Sequence, residues 1–217
     1  MPEILAPVGG YEHLQAAVLS GADAVYLGTK GFNARRNAQN FDKNELTDAV
    51  KYAHSRGVKV YVTLNTLICD DEIPLLISEI QDIAQSGADA VIVQDLAVVK
   101  YVKEICPDLE LHASTQMAVH NEEGVEALRN MGFSRVVLAR ELSLEEIGRI
   151  KRAFPDTEIE IFVHGALCMS VSGCCYLSSV IGERSGNRGL CAQPCRLNFS
   201  AKGREYALSL KDMCHID

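Results

Sequence analysis

The chain has 217 residues, of which 47% are hydrophobic and 23% charged, with a formal net charge of −8 at pH 7. These values indicate one domain's worth of globular protein and exclude collagen-like and low-complexity chains. The apolar runs are too short for a transmembrane helix, and the first residues lack the basic and apolar regions of a signal peptide. The acidic total argues against nucleic-acid or membrane binding over the whole surface. We therefore expect a cytoplasmic protein with no membrane partner.

Short apolar strands alternate with amphipathic helices along most of the chain. Seven strands are predicted, over residues 3–7, 24–28, 58–65, 90–95, 109–116, 135–140 and 158–165. Six helices are predicted between them, over residues 11–20, 43–56, 73–86, 96–105, 122–131 and 144–153. Continuous apolar strands of this kind are typical of a parallel sheet that helices cover on both faces.

An internal repeat favours a particular parallel fold. Residues 21–25 and 87–91 both read GADAV, and each copy follows a predicted helix and opens a predicted strand. The glycine is expected to end the helix in a left-handed conformation. Repeated units of this length fit a TIM-barrel-like (β/α) barrel better than a doubly wound sheet, and residues 6–10 do not match the dinucleotide-binding GxGxxG motif.

The count of seven strands predicts an incomplete barrel followed by a Cys-rich loop. We predict a barrel portion over residues 1–165 and a Cys/Gly/Arg-rich segment over residues 166–217. A closed barrel of this type has eight strands. Either residues 206–210 substitute for the eighth strand, or the chain is an N-terminal piece of a longer protein.

Polar residues follow or end several predicted strands, where the active sites of such barrels form. Predicted strand five carries His112, Ser114 and Gln116 at a period of two, which places the three side chains on one face. Buried polar groups need partners or a ligand, so this face is either a satisfied polar layer or part of a binding site. The other polar residues at strand ends are Asn65, Gln94, Asp95, Arg140, Glu141 and His164.

A pair of arginines lies in the loop after predicted strand two. Arg35 and Arg36 stand where a phosphate or carboxylate of a substrate can be held, although exposed arginines are common in loops. We predict one pocket at the barrel mouth, suited to a small anionic or polar molecule. Its predicted lining is His112, Ser114, Gln116, Arg140 and His164, with Arg35 and Arg36 reaching over it.

Six of the eight cysteines lie between residues 168 and 214. In a chain without an export signal, grouped cysteines are more often metal ligands or catalytic groups than disulfides. Four thiolates hold either zinc or an iron–sulfur cluster, and the lack of C-x₂-C pairs favours the cluster slightly. Two alternatives stay open, namely a nucleophilic Cys168 activated by His164 and a set of buried free thiols.

The same part of the chain is basic. Residues 182–211 hold six Lys or Arg against two acids, a local charge of +4 that leaves −12 for the rest. Arg184, Arg188 and Lys202 belong to this segment. It is either a local anion-binding patch or a solvated basic loop.

Several segments of the sequence resemble the signature of a known protein family. Residues 160–168 (EIFVHGALC), 172–173 (SG) and 175–178 (CYLS) are similar to the signature of the collagenase-like peptidase family U32. The resemblance extends over nearly the whole chain, through residues 5–9, 21–28, 60–63 and 140–143.

The resemblance implies two activities. One is oxygen-independent hydroxylation, and the other is the peptide hydrolysis after which the family was first named. Branches of the family act on a cytidine of large-subunit ribosomal RNA, on the wobble uridine of some tRNAs and on ubiquinone precursors, and prephenate is implicated as a co-substrate in the RNA branches. Residues 112–116 (HASTQ), 184–189 (RSGNRG) and 195–197 (CRL) are most like the ribosomal-RNA branch. The ubiquinone branch binds a [4Fe–4S] cluster through four cysteines, and the resemblance places those ligands at Cys168, Cys175, Cys191 and Cys195.

Three hypotheses for the function follow. The first is an iron–sulfur-dependent factor that hydroxylates a base in RNA, with 23S ribosomal RNA cytidine preferred to the tRNA wobble uridine. RNA would cross Arg184, Arg188 and Lys202 while one base leaves the stack and enters the pocket. The second is a peptidase, although the chain has no HExxH or GxSxG motif. The third is a non-catalytic subunit that carries a cluster or binds a protein partner.

In other members of the family the sequence extends further than in this chain. Family members continue past residues 208–212 into another helix and a further strand. The resemblance therefore implies that the eighth barrel strand is formed by residues that would follow residue 217.

Overall fold

The computed structural model describes residues 2–171, 174–209 and 212–214. Part of the family signature, Ser172 and Gly173, lies outside the described residues, as do Leu210 and Lys211 of the basic segment. The chain divides into two compact units, Met1–His112 and Ala113–Asp217. The predicted division near residue 165 stays a prediction.

Seven strands form one parallel sheet in chain order. They are β1 (Leu5–Val8), β2 (Ala24–Gly28), β3 (Lys59–Leu64), β4 (Ala90–Val93), β5 (Glu110–Ala113), β6 (Arg135–Val137) and β7 (Glu158–Glu160). The helices that alternate with them are α1 (Tyr11–Leu19), α2 (Lys43–His54), α3 (Ile73–Ser86), α4 (Leu96–Ile105), α5 (Glu122–Asn130) and α6 (Leu144–Ala153). The predicted α/β fold of an incomplete (β/α) barrel is confirmed.

The two GADAV segments behave as their sequence predicts in the first unit. Gly21 and Gly87 have φ angles of 88° and 81°, so each glycine takes the left-handed conformation that ends a helix. The strands that follow are buried on both faces, β4 at every position. One core cluster joins Tyr61 to small and apolar residues of β2 and β4, which are Ala24, Ala90 and Ile92, with Leu5 and Tyr26 packed against it.

Side-chain caps begin two helices of the second unit, α5 and α6. The Ser143 hydroxyl accepts the backbone N–H of Glu146, whose carboxylate in turn accepts the backbone N–H of Ser143. The Asn121 amide oxygen accepts the backbone N–H of Gly124 at the start of α5. Both caps satisfy backbone N–H groups that the first helical turn leaves free.

Several predicted strands are longer in the sequence pattern than in the structure; the prediction over residues 135–140, for example, is wrong beyond Val137, where β6 ends. The predicted strand over residues 158–165 is wrong in its second half, because β7 ends at Glu160 and a separate strand β8 (His164–Ala166) follows. Gly165 in β8 has a φ of 135°, which departs from parallel-strand geometry. The predicted strand over residues 109–116 is wrong beyond Ala113, because a single 3₁₀ turn, Thr115–Met117, follows β5.

The remaining strands form two small antiparallel sheets. β9 (Asn198–Ala201) pairs with β10 (Arg204–Ala207), and β8 pairs with β11 (Asp212–Cys214). The short helix α7 (Leu177–Gly182) precedes them. The strand in this region, β10, therefore belongs to a hairpin, and as far as the described residues extend it does not join the seven-stranded sheet as an eighth barrel strand. Leu210, the last residue of the predicted substitute strand, lies outside the described residues. No helix in the described part of the chain has the length and apolar character that a membrane span requires.

Candidate functional site

The loop between β2 and α2 holds Arg35 in a defined orientation. The Arg35 guanidinium donates to the Tyr26 hydroxyl at 2.7 Å, and its carbon lies 4.8 Å from the centre of the Tyr26 ring. The loop backbone is fixed as well, because the fully buried Asn33 accepts the Arg35 N–H at 2.7 Å and Asn65 accepts the Ala34 N–H at 2.9 Å. A guanidinium anchored on one edge keeps its other N–H groups for a phosphate or carboxylate. The neighbouring Arg36 is exposed.

His112 lies in β5 and is buried, with 1% of its surface exposed. Its ring packs against the edge of Tyr61, with ring centres 4.6 Å apart. The Tyr61 hydroxyl donates to the Glu3 carboxylate at 3.0 and 3.1 Å, and His112 Nε2 lies 3.5 Å from Glu110 Oε2. Two carboxylates thus flank a buried Tyr–His pair within the first unit.

A polar turn follows β5 in the second unit. The buried Ser114 hydroxyl accepts the backbone N–H of Gln116 at 3.2 Å, and the Thr115 hydroxyl donates to the backbone oxygen of Leu138 at 3.3 Å. The Gln116 amide oxygen is buried and has no hydrogen-bond partner among the described residues. A buried amide oxygen without a partner costs free energy, and a ligand donor would offset that cost. This observation favours the predicted role of Gln116 in binding.

Arg140 and His164 lie in different settings. Arg140 is half-buried in the turn after β6. His164 is exposed on β8, where the strand register places Cys214 directly opposite it. Directly opposed side chains share one face of an antiparallel pair. The predicted gathering of these two residues with His112, Ser114 and Gln116 in one pocket stays a prediction.

The sequence pattern gave no reason to single out Tyr26 and Tyr61. The parallel register places them opposite each other on β2 and β3, where Tyr26 positions Arg35 and Tyr61 contacts His112. Each tyrosine is the third residue of its strand, and this shared position is the signal by which the pair could have been found. Cys214, which is not among the predicted ligands, lies opposite His164.

Two of the predicted cluster ligands, Cys175 and Cys191, have sulfurs that accept hydrogen bonds. The Cys175 sulfur accepts the backbone N–H of Leu177 at 3.4 Å, and the Cys191 sulfur accepts that of Gln193 at 3.3 Å. The buried Ser178 hydroxyl donates to the Cys191 sulfur at 3.7 Å and accepts the backbone N–H of Ala192 at 3.1 Å.

Gly186 separates these two cysteines. A Cβ atom at Gly186 would lie 3.4 Å from the backbone oxygen of Cys175 and 3.8 Å from the Cβ atom of Cys191. The segments that carry the two thiols therefore approach each other on either side of this glycine.

The other two predicted ligands are linked through their neighbours. Arg196, next to Cys195, donates to the backbone oxygen of Leu167, next to Cys168, at 3.4 Å. Arg196 also pairs with Asp212 at 2.9 Å, and the backbone oxygen of Cys195 accepts the N–H of Ser209 at 2.9 Å.

The donor chemistry of this segment suits an iron–sulfur cluster. Four thiols are available, and backbone N–H groups are directed at two of the sulfurs, as at protein-bound clusters. Within residues 2–171, 174–209 and 212–214, no three His, Cys, Asp or Glu side chains lie together as a metal site. The convergence of Cys168, Cys175, Cys191 and Cys195 stays a prediction.

The basic segment presents its charges in different ways. Lys202 and Gly203 have φ angles of 51° and 74° and form the two-residue turn between β9 and β10, so Lys202 lies exposed at the hairpin tip. Arg184 is exposed next to α7, and Arg188 is half-buried in the 3₁₀ turn Gly186–Arg188. Arg196 is already engaged with Asp212.

Comparison with known proteins decides the family. The model of peptidase family U32 matches residues 9–217. The chain belongs to peptidase family U32. Among curated relatives, the chain is 44% identical over 218 residues to a protein named 23S rRNA 5-hydroxycytidine C2501 synthase from Escherichia coli (strain K12), covering 97% of this chain and 33% of that protein.

Two further relatives carry different names. The chain is 42% identical to a collagenase of Porphyromonas gingivalis, covering 96% of this chain and 52% of that protein. It is 38% identical to the tRNA hydroxylation protein P of Escherichia coli, covering 94% of this chain and 45% of that protein. This U32 chain thus spans between a third and about half the length of these relatives.

Solved structures agree with the fold. A U32 peptidase structure superposes with a TM-score of 0.64 at 23% identity, covering 76% of this chain and 70% of that one. The structure of 2,3-dimethylmalate lyase superposes with a TM-score of 0.55 at 17% identity, covering 77% of this chain and 70% of that one. At these identities the similarity describes the fold alone.

Proposed function

We propose that this U32 chain belongs to a factor that hydroxylates a base in RNA, with a cytidine of 23S ribosomal RNA as the preferred target and the wobble uridine of tRNA next. The observation that carries the proposal is the 44% identity to the 23S rRNA 5-hydroxycytidine C2501 synthase over 97% of this chain. The similarity to the tRNA hydroxylation protein P supports the same class of reaction. These RNA targets would place the protein in the cytoplasm.

The proposed cofactor is a [4Fe–4S] cluster held by Cys168, Cys175, Cys191 and Cys195, with zinc as the alternative. When bound, such a cluster supplies one-electron transfer at a potential that hydrogen bonds to its sulfurs help to set. The hydrogen bonds on the Cys175 and Cys191 sulfurs support this assignment. The approach of the Cys175 and Cys191 segments at Gly186 also supports it.

The protein residues would bind and orient the reactants. Arg35, positioned by Tyr26, would hold a small anionic co-substrate such as prephenate, with Arg36 beside it. We assign His112, Ser114, Gln116, Arg140 and His164 to the pocket that receives the base, and the unsatisfied Gln116 oxygen supports this. Arg184, Arg188 and Lys202 would contact phosphates along the RNA.

Iron analysis tests the cofactor. The chain is purified without oxygen, and its iron, sulfide and zinc contents are measured together with the visible spectrum. We expect about four iron and four sulfide per chain. Cys175→Ser and Cys191→Ser should each lower the iron content, whereas Cys106→Ser, which changes a cysteine outside the group, should not. Zinc in place of iron, or an unchanged iron content in the serine variants, would refute this assignment.

Complementation tests the reaction. The protein is expressed in an Escherichia coli strain that lacks its 5-hydroxycytidine synthase, and ribosomal RNA nucleosides are analysed by mass spectrometry. We expect 5-hydroxycytidine to return with the wild type and to be lost with His112→Ala. Hydroxylation that persists in His112→Ala would remove His112 from the proposed pocket.

A peptidase is the second candidate, because a relative 42% identical over 96% of this chain carries the name collagenase. In that case His112 and His164 would act with a metal ion, or His164 with Cys168 as a nucleophile. Hydrolysis of gelatin by the purified protein, abolished by His164→Ala, would favour this candidate over RNA hydroxylation.

A further inference from the structure

The hairpin β9–β10 carries two exposed aromatic residues at opposed positions of its strands. Phe199 and Tyr206 are directly opposed in the strand register and are 37% and 52% exposed. Opposed residues of an antiparallel pair lie on the same face with Cβ atoms about 5 Å apart. Leu197 and Leu208 flank the hairpin at its base and are also exposed. Four large apolar side chains thus remain uncovered on a structure of only two strands.

The charges around these rings are arranged unevenly. Arg204 lies two residues from Tyr206 on the same strand and therefore on the same face, and Lys202 forms the tip. Glu205 alternates to the opposite face, where it accepts a hydrogen bond from Asn198 at 3.4 Å. The face that carries Phe199 and Tyr206 therefore also carries positive charge near the hairpin tip. Glu205, the acidic residue of the hairpin, lies on the opposite face.

We propose that the Phe199–Tyr206 face is a stacking platform for two unpaired bases of the RNA, with Lys202 and Arg204 contacting the adjoining phosphates. This inference rests on the proposed RNA substrate. It identifies a surface that would bind the RNA outside the reaction pocket. Exposed aromatic rings beside positive charge are the elements with which proteins bind single-stranded RNA. Positive charge bordering the rings is complementary to a polyanion, which favours RNA over an apolar protein surface as the occupant.

Binding of a fluorescein-labelled single-stranded pyrimidine RNA of about 12 nucleotides to the full 217-residue chain tests the proposal, with fluorescence anisotropy as the readout. The variant F199L/Y206L keeps apolar side chains but removes both rings. We expect its dissociation constant to rise about tenfold or more, with an unchanged slope of log affinity against log salt. Tyr206→Phe keeps a stacking surface and should bind as the wild type does.

Controls separate stacking from folding. Tyr11→Leu changes another exposed tyrosine, on α1, and should leave RNA affinity unchanged. Circular dichroism and thermal melting establish that F199L/Y206L is folded, and the single variant Tyr206→Leu replaces it if it is not. Ultraviolet cross-linking of the wild type to the RNA, mapped by mass spectrometry, should place cross-links at Phe199 or Tyr206.

Three results would overturn the proposal. One is an RNA affinity of the leucine variant equal to that of the wild type, and another is a wild-type chain that binds no RNA. The third is a wild-type chain that self-associates through this face while F199L/Y206L is monomeric with unchanged RNA affinity, which would make the hairpin a protein interface.

The stacking proposal and the proposed function fail separately. Restored 5-hydroxycytidine together with unchanged RNA affinity in the leucine variant would refute only the platform. RNA binding that depends on the rings, without hydroxylation or iron, would refute only the proposed reaction.

Discussion

The Tyr61 ring and the His112 imidazole pack in a T-shaped contact, and the Tyr61 hydroxyl donates to both oxygens of Glu3. One buried tyrosine thus connects a candidate pocket residue to a carboxylate near the start of the chain. Since Tyr61 is 2% exposed, its hydroxyl depends on this carboxylate to replace water.

Removal of the Tyr61 hydroxyl should destabilise the chain. Tyr61→Phe retains the ring contact with His112 but abolishes the bonds to Glu3, and a hydrogen bond to a charged group contributes about 1.5 to 3 kcal/mol. We expect the free energy of unfolding in urea to fall by about 2 kcal/mol. Tyr11→Phe is the control, and equal stabilities of the two variants would contradict the role assigned to the Glu3 bond.

The Tyr26–Arg35 contact should determine affinity for the anionic co-substrate. Arg35→Lys loses the planar guanidinium and should weaken prephenate binding about tenfold or more by calorimetry. Tyr26→Phe keeps the ring under Arg35 but not the hydroxyl, so its effect should be smaller. The matched control is Tyr52→Phe, because Arg56 lies 3.8 Å over the Tyr52 ring outside this loop. Prephenate binding unaffected by Arg35→Lys would exclude Arg35 from the site.

Ser178 should tune a cluster bound at Cys191. Its hydroxyl donates to the Cys191 sulfur, and such a bond stabilises the more negative, reduced state of a cluster. Ser178→Ala should therefore lower the reduction potential, measured by a redox titration followed with electron paramagnetic resonance. The adjacent Ser179 donates instead to the backbone oxygen of Arg184, so Ser179→Ala is expected to leave the potential unchanged. A higher potential in Ser178→Ala would contradict the direction of this effect.

The basic segment should contribute charge rather than metal binding. Arg188→Glu combined with Lys202→Glu removes two cations and should weaken RNA binding while the iron content is retained. For single-stranded RNA, the loss of two phosphate contacts lowers the salt slope by about 1.4. Anisotropy titrations at several salt concentrations measure this slope. A slope equal to that of the wild type would mean that neither residue contacts phosphate.

Glu79 should make stability depend on pH. Burial raises the pKa of its carboxyl, and the negative charge of Asp82 acts in the same direction. Because the folded state holds the proton more tightly, this stabilising contribution is full below the ordinary pKa of about 4.5 and is lost as pH rises through the folded-state pKa.

A neutral substitute for Glu79 should remove this loss. Glu79→Gln is expected to be more stable than the wild type at pH 7, with a difference that shrinks as pH falls, as measured by urea unfolding across a pH series. Glu104→Gln, at an exposed position on α4, serves as the control. A glutamine variant that is less stable at pH 7 would show that the charged carboxylate supports the fold.

Much of the fold could be predicted from local patterns in the sequence. The bounds of α3, α4 and α6 agree with the prediction, and both glycines of the GADAV segments take the predicted left-handed conformation. Apolar periodicity, capping residues and left-handed glycines act over a few neighbouring residues, so the linear order of the chain is enough to reveal them. The seven-strand order follows from the same alternation, because each helix returns the chain to the next parallel strand.

Only the tertiary structure decided how distant segments pair. The end of predicted strand seven pairs with β11 near residue 214 as β8. Residues 204–207, which overlap the candidate eighth strand over residues 206–210, pair with β9 in a hairpin. Register between β2 and β3 likewise places Tyr26 opposite Tyr61, and the fold of the loop after β2 brings Arg35 onto Tyr26. An apolar strand pattern specifies burial but not the partner strand, since every edge offers the same backbone hydrogen bonds. The partner is decided by the packing and chain connections of the folded protein, which is why His164 lies opposite Cys214 rather than at the end of β7.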